Sequence, residues 1–134
     1  MFESELEGVS MGIKVLIVDD SAVVAAQLSQ IVEAADDVEI VGHARDGLEA
    51  LKLVQQTRPD LVFMDIVMPK LDGLNALRLI RSMGVPSRVV MVSSVGGMGD
   101  RVEEAIKLGA HSVISKPFDE QQIRAVLQEL GSLE

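Results

Sequence analysis

Apolar residues along this chain fall into two alternating patterns. Nearly continuous runs, IKVLIVD (13–19), DLVFMD (60–65) and RVVMVSS (88–94), have strand length and little polar alternation. Such runs fit strands covered on both faces, as in a parallel sheet between helices. VEIVGHA (38–44) is more mixed and HSVISK (111–116) is more polar, which predicts two edge strands. Between the runs, apolar positions recur at helical spacing. The sets are Val24, Leu28, Ile31, Val32 and Ala35; Leu48, Leu51 and Val54; Leu74, Leu77 and Ile80; Val102, Ala105 and Ile106; and Ile123, Val126, Leu127 and Leu130. Each set predicts a buried stripe. Pro59, Gly84 with Pro86, and Gly109 mark helix ends, and Asp100 and Asp119 stand where N-caps are expected.

Five strand–helix units predict an α/β fold: a single doubly wound five-stranded parallel sheet with right-handed crossovers. In such sheets ligands bind beyond the carboxyl ends of the strands. That rule sorts the polar residues. Asp19 and Asp20 end the first strand, Asp65 the third, Ser93 and Ser94 the fourth, and Lys116 the fifth. The strands follow from hydrophobicity alone, yet carboxylates, hydroxyls and an amine converge at one end of four of them.

Adjacent carboxylates at the mouth of a core repel. At ~4 Å and an effective dielectric of about 20, one such repulsion is worth roughly 4 kcal/mol. A hard divalent cation, Mg2+ or Mn2+, offsets it, because the ligands are all oxygen. A carboxylate beside such a cation and a lysine is a candidate nucleophile toward phosphorus, forming an aspartyl phosphate.

Composition narrows the picture further. A chain of 134 residues, 48% hydrophobic and 25% charged, suits one globular domain. A net charge of −9 argues against direct nucleic-acid binding, and the lack of Tyr and Trp removes a base-stacking platform. No apolar run reaches the ~18 residues of a membrane span. No membrane partner is expected, and a cytoplasmic location is. The absence of cysteine excludes disulfide and thiol chemistry. Residues 1–11 read as a flexible extension, 12–130 as the domain and 131–134 as a tail.

VLIVDDS, DLVFMDIVMPKLDG, VVMVSS and SKPF, in that order, resemble the CheY-like receiver domain of two-component response regulators over about residues 12–130. The resemblance implies a flavodoxin-like (βα)5 sheet of strand order 2-1-3-4-5. It implies that Asp65 accepts a phosphoryl group from a sensor histidine kinase or phosphotransfer protein. Asp20 and Asp65 would ligate Mg2+ directly, with the backbone carbonyl of Val67 as a third ligand and Asp19 acting through a bound water. Lys116 and the Ser93 hydroxyl would contact the phosphoryl oxygens, and the Lys116–Pro117 bond would be cis. An output protein would dock on the face of helix 4, strand 5 and helix 5.

Two departures from the family stand out. Val113 occupies the strand-5 position where many receivers carry Tyr or Phe, so coupling to the output face is expected through the glycines of VGGMGD and aliphatic repacking. Val67 and Val95 replace polar residues that can orient a hydrolytic water, which predicts a long-lived phosphorylated state. The reading is a stand-alone, non-enzymatic response regulator, with chemotaxis as one setting. The alternatives are a receiver excised from a methylesterase or transcription factor, an Asp-nucleophile phosphatase, and a flavin module. The phosphatase reading lacks its Asp-x-Asp at residue 65, and the flavin reading lacks flanking aromatics. His43, His111 and the methionines read as structural, Asp72-Gly73 as turn chemistry, Ser94 as a small residue used through its backbone N–H, and Arg78, Arg81 and Arg88 as solvated surface.

Overall fold

In the computed structural model, which describes residues 12–94 and 99–132, strands and helices alternate throughout. They are β1 (Ile13–Val18), α1 (Ala22–Glu33), β2 (Val38–Ala44), α2 (Gly47–Thr57), β3 (Leu61–Asp65), α3 (Gly73–Ser82), β4 (Arg88–Ser93), α4 (Gly99–Lys107), β5 (Ser112–Ser115) and α5 (Glu120–Ser132). All strand pairs are parallel, in the order β2-β1-β3-β4-β5. The two mixed or polar strands are therefore the edges, as their composition predicts.

Alternate side chains of the central strands feed two separate cores. Leu16, Val62, Met64 and Met91 pack with α2, α3 and α4 through Ala50, Val54, Leu77, Ile80 and Ala105. Val15, Ile17, Phe63, Val90 and Val92 pack with α1 and α5 through Leu28, Val32, Ile123 and Leu127. Strands sandwiched in this way read as unbroken aliphatic runs, which made them visible in the sequence.

Two predicted stripes are corrected. Leu48 is 55% exposed; Val54 is buried and Leu51 packs against the core as predicted, with Gly47 and Ala50 completing the face. A Cβ on Gly47 would lie 2.2 Å from the Leu71 carbonyl oxygen, so α2 sits too close to that loop for a large residue at its first position. On α4, Val102 is 37% and Ile106 48% exposed, and Ala105 alone of that set is buried. Small residues (Gly47, Ala50 and Ala105) take positions in these contacts that hydrophobicity cannot rank.

The caps need one correction as well. Asp119 accepts from the Gln122 amide (2.9 Å), and the Gln122 side chain returns a bond from the Asp119 N–H (2.9 Å), forming a capping box. Asp100, however, lies inside α4, which begins one residue earlier at Gly99. Ser21, Asp46 and Asp72 cap α1, α2 and α3. The backbone N–H bond from Glu49 holds the Asp46 carboxyl below its usual range, with Lys70 (3.6 Å) assisting.

Arg81 is not solvated surface. Its guanidinium donates to the carbonyls of Val85 (3.2 Å), Ser87 (2.7 Å) and Gly109 (3.3 Å), tying the end of α3 to the turn after α4. Burial lowers its pKa. Gly109, at φ +105, leaves room for this clamp, since a Cβ there would lie 2.9 Å from Arg81 Nε. Of the glycines expected to ease motion beyond Ser93, Gly96 and Gly97 lie outside the described residues, as does Val95.

Candidate functional site

Parallel strands with aligned register bring their carboxyl ends to one rim. Val18 pairs with Met64, and Asp65 pairs with Val92, so Asp19, Asp65 and Ser93 emerge side by side. Ser93 in turn pairs with Ser115, and the Lys116 amide donates to the Ser93 carbonyl (2.6 Å). Four residues separated by up to most of the chain are thus delivered by strand ends alone.

The side chains converge as the register requires. Asp19, Asp20 and Asp65 each offer a carboxylate oxygen within 4.8 Å of the others. The Lys116 ammonium lies 3.0 Å from Asp19 Oδ2 and 3.4 Å from Asp65 Oδ2. Asp19 and Asp65 are 3% and 5% exposed, whereas Asp20 faces solvent. Asp19 Oδ1 accepts from the Ser21 amide (2.8 Å), and Asp65 Oδ1 accepts from the Val67 amide (3.3 Å). The latter contact folds the Val67 backbone against Asp65. The Lys116–Pro117 peptide is cis.

Burial raises the Asp65 pKa, the nearby Asp19 charge raises it further, and Lys116 opposes both. Three carboxylates against one ammonium leave an excess of negative charge in a low-dielectric mouth. Asp19 Oδ2, moreover, is buried and has no hydrogen-bond partner, its one close neighbour being the ion-paired Lys116 ammonium. An under-satisfied buried oxygen in an all-oxygen, net-negative cluster fits a hard divalent cation. A groove of about 340 Å3 opens beside Asp19 and Asp20, running along α1 past Ser29 toward His43 and Arg45.

Several residues of the motifs have plain structural duties. His43 Nε2 meets the Ser29 hydroxyl (2.9 Å), and His111 Nε2 meets Glu129 (3.0 Å). Ser94 is exposed. Asp72 caps α3, while Gly73 has a role that the turn reading did not anticipate. A Cβ at Gly73 would lie 2.2 Å from the Asp65 carbonyl oxygen, and the Gly73 amide donates to the Ile66 carbonyl (2.7 Å). Gly73 therefore seats α3 directly on the strand end that carries Asp65. A glycine at the first position of a helix after a strand–loop was the available signal.

The comparisons agree with this geometry. Residues 15–128 match the response regulator receiver domain family. The chain is 39% identical over 117 residues to the chemotaxis protein CheY of Listeria monocytogenes, covering 87% of this chain and 97% of that protein. It is 45% identical over 105 residues to a protein-glutamate methylesterase/protein-glutamine glutaminase of Myxococcus xanthus, covering 78% of this chain but 30% of that protein. Among solved structures, the response regulator domain of Thermotoga maritima CheB superposes with a TM-score of 0.74 at 41% identity, covering 90% and 91% of the two chains. A chain of the CheX-CheY-BeF3-Mg+2 complex from Borrelia burgdorferi superposes with a TM-score of 0.81 at 34% identity, covering 95% of this chain and 92% of that one. A rim of three aspartates and a lysine, on a parallel sheet of order 2-1-3-4-5, is thus found in a chain that belongs to the response regulator receiver domains, the CheY-like signalling domains of two-component systems.

Proposed function

We propose that this chain is a phosphorylation switch in which Asp65 accepts the phosphoryl group. The observation that carries this reading is the convergence of buried Asp19 and Asp65, exposed Asp20 and the Lys116 ammonium on one rim of the sheet. An Asp65 carboxylate oxygen attacks the phosphorus of a phosphohistidine on a sensor kinase or phosphotransfer protein. The O–P bond forms as the P–N bond breaks, and the imidazole keeps the electron pair. Lys116 neutralises charge on the transferring group, and the Ser93 hydroxyl, at the adjoining strand end, hydrogen-bonds the acyl phosphate.

Asp20, Asp65 and the Val67 carbonyl would hold Mg2+ or Mn2+, with Asp19 acting through water. When bound, that ion supplies charge neutralisation and alignment of phosphoryl oxygens. Asp65 must be ionised to attack; its burial beside Asp19 opposes that ionisation and Lys116 favours it, and a cation held by these carboxylates would favour it further. Lys116 already bridges Asp19 and Asp65, so it orients both carboxylates before substrate arrives.

The switch acts by binding, without enzymatic turnover, and its output face is α4, β5 and α5. Val102 and Ile106, exposed on α4, give that face apolar anchors. Val113 packs beside the core layer that includes Met91 and Ala105, which supports transmission by aliphatic repacking instead of an aromatic rotamer. A phosphate mimic should then move the amide resonances of residues 99–113, and an unmoved set would contradict it. The chain spans about 30% of the methylesterase relatives' length. That observation supports a second reading, in which the same switch is the receiver of a multidomain regulator, and the full open reading frame decides between them.

Incubation with Mg2+ and acetyl phosphate separates a receiver from an Asp-nucleophile phosphatase. The expected result is stoichiometric labelling, with phosphate released no faster than the labelled protein loses it; sustained hydrolysis of an unactivated phosphomonoester such as p-nitrophenyl phosphate would overturn the reading. Lifetime is a separate prediction. Val67 is 54% exposed, with no polar group to orient water at the acyl phosphate. Val67→Asn should speed phosphate loss several-fold, a change of ~1 kcal/mol in the barrier. Equal or slower loss in the variant would remove Val67 from the account.

A further inference from the structure

At the opposite end of the sheet from Asp65 lies a second cavity, of about 380 Å3, which the phosphorylation chemistry does not use. Its walls are Ile13 at the start of β1, the α2–β3 turn at Arg58 and Pro59, Val85 before β4, Arg88 at the first position of β4, and Leu130 near the end of α5. Pro59, Val85 and Leu130 are buried, giving an apolar floor. Arg58 and Arg88 also line the cavity. Among the described residues, neither the Arg58 nor the Arg88 side chain has a hydrogen bond or ion pair. Asp60, also on the rim, is turned to the Lys14 amide (2.8 Å).

Two unpaired arginines beside one apolar floor are unexpected in a chain of net charge −9, where carboxylates outnumber cations 21 to 12. An arginine pair of this kind suits carboxylates. The complementary sequence is present in the same chain. Residues 1–11 read MFESELEGVSM, with Glu3, Glu5 and Glu7 alternating with Phe2, Ser4 and Leu6, and with no Lys or Arg. In extended backbone this alternation would separate carboxylates from apolar groups on two faces.

We infer that the acidic segment 1–11 of this chain docks on this basal cavity, its glutamates pairing with Arg58 and Arg88 and its apolar residues covering Pro59, Val85 and Leu130. Proximity favours this occupant over any external one. The segment joins the domain at Gly12, next to the cavity wall residue Ile13. A tether that short gives an effective concentration on the order of millimolar. Eleven residues reach up to ~36 Å, far more than the cavity demands. The inference is independent of the chemistry at Asp65.

The test uses the full chain. It has no cysteine, so Ser4→Cys accepts a single nitroxide label. The expected result at low salt is selective loss of amide signals around Arg58, Val85, Arg88 and Leu130. Those signals should return at about 1 M salt, where the Debye length falls to ~3 Å. They should also return in the combined Glu3→Gln, Glu5→Gln, Glu7→Gln variant. Uniform broadening, broadening elsewhere, or a pattern indifferent to those three substitutions would overturn the inference. Equal shifts of the Arg58 and Arg88 amides by inorganic phosphate in both variants would assign the cavity to an external anion and overturn it too.

Discussion

Asp65→Asn should stabilise the metal-free protein at neutral pH while abolishing phosphoryl acceptance. Burial and the neighbouring Asp19 raise the Asp65 pKa in the folded state, with Lys116 opposing. A carboxyl raised on folding binds its proton more tightly in the native protein. Its contribution to stability is therefore full below the unfolded value, near 3.8, and is lost as pH rises through the higher folded value. At pH 7 the ionised group is a liability. Removing one like-charge contact relieves up to roughly 4 kcal/mol, and the loss of the Lys116 partner returns much of that. A net gain of about 1–2 kcal/mol should raise Tm by roughly 5 °C. The gain should shrink as pH falls through the raised folded value of Asp65, and be smaller at pH 4 than at pH 7. Added Mg2+ should raise the wild-type Tm by mass action and shift the variant less. Thermal melts with EDTA and with Mg2+, at both pH values, check all three statements. A variant less stable than wild type at pH 7 without metal would show that the carboxylate cluster is not repulsive.

The second large effect is on the backbone beneath the same aspartate. Gly73→Ala places a methyl 2.2 Å from the Asp65 carbonyl oxygen and 2.9 Å from Ile66 Cα, both main-chain atoms that cannot rotate away. Either α3 lifts from β3 or the strand end shifts. Overpacking of this severity costs about 3 kcal/mol or more, lowering Tm by roughly 10 °C or more. The shift should also lower the labelling rate, because Asp65 moves relative to Lys116. Gly84→Ala is the control. Gly84 has φ +74 but open space around it, so a loss of about 1 kcal/mol is expected, with labelling unchanged. Urea denaturation of the two variants checks the contrast; equal losses would mean that contact with Asp65 is not what fixes Gly73.

Much of this was legible in the sequence because a parallel sheet is written in a redundant code. β1, β3 and β4 are aliphatic on both faces, and β2 and β5 are not, so strand identity and edge position follow from burial. Asp19, Asp65, Ser93 and Lys116 follow from strand ends, since a parallel register aligns them whatever the loops do. Helix faces were less legible. Leu48, Val102 and Ile106 have the hydrophobicity of core residues, but Gly47, Ala50 and Ala105 make the contacts, and close approach favours small residues over large ones. The Arg81 clamp was not legible at all. Its carbonyl partners at Ser87 and Gly109 meet only once β4 and the α4–β5 turn are in place.

The most direct test of the central claim is to locate the phosphoryl group. Wild-type protein incubated with acetyl phosphate and Mg2+ should gain the mass of one phosphoryl group, mapped by reductive trapping and peptide mass spectrometry to Asp65. The adduct should fail to form when EDTA is present from the start, and in Asp65→Asn. An adduct on Asp19 or Asp20, or one that survives in Asp65→Asn, would contradict the account.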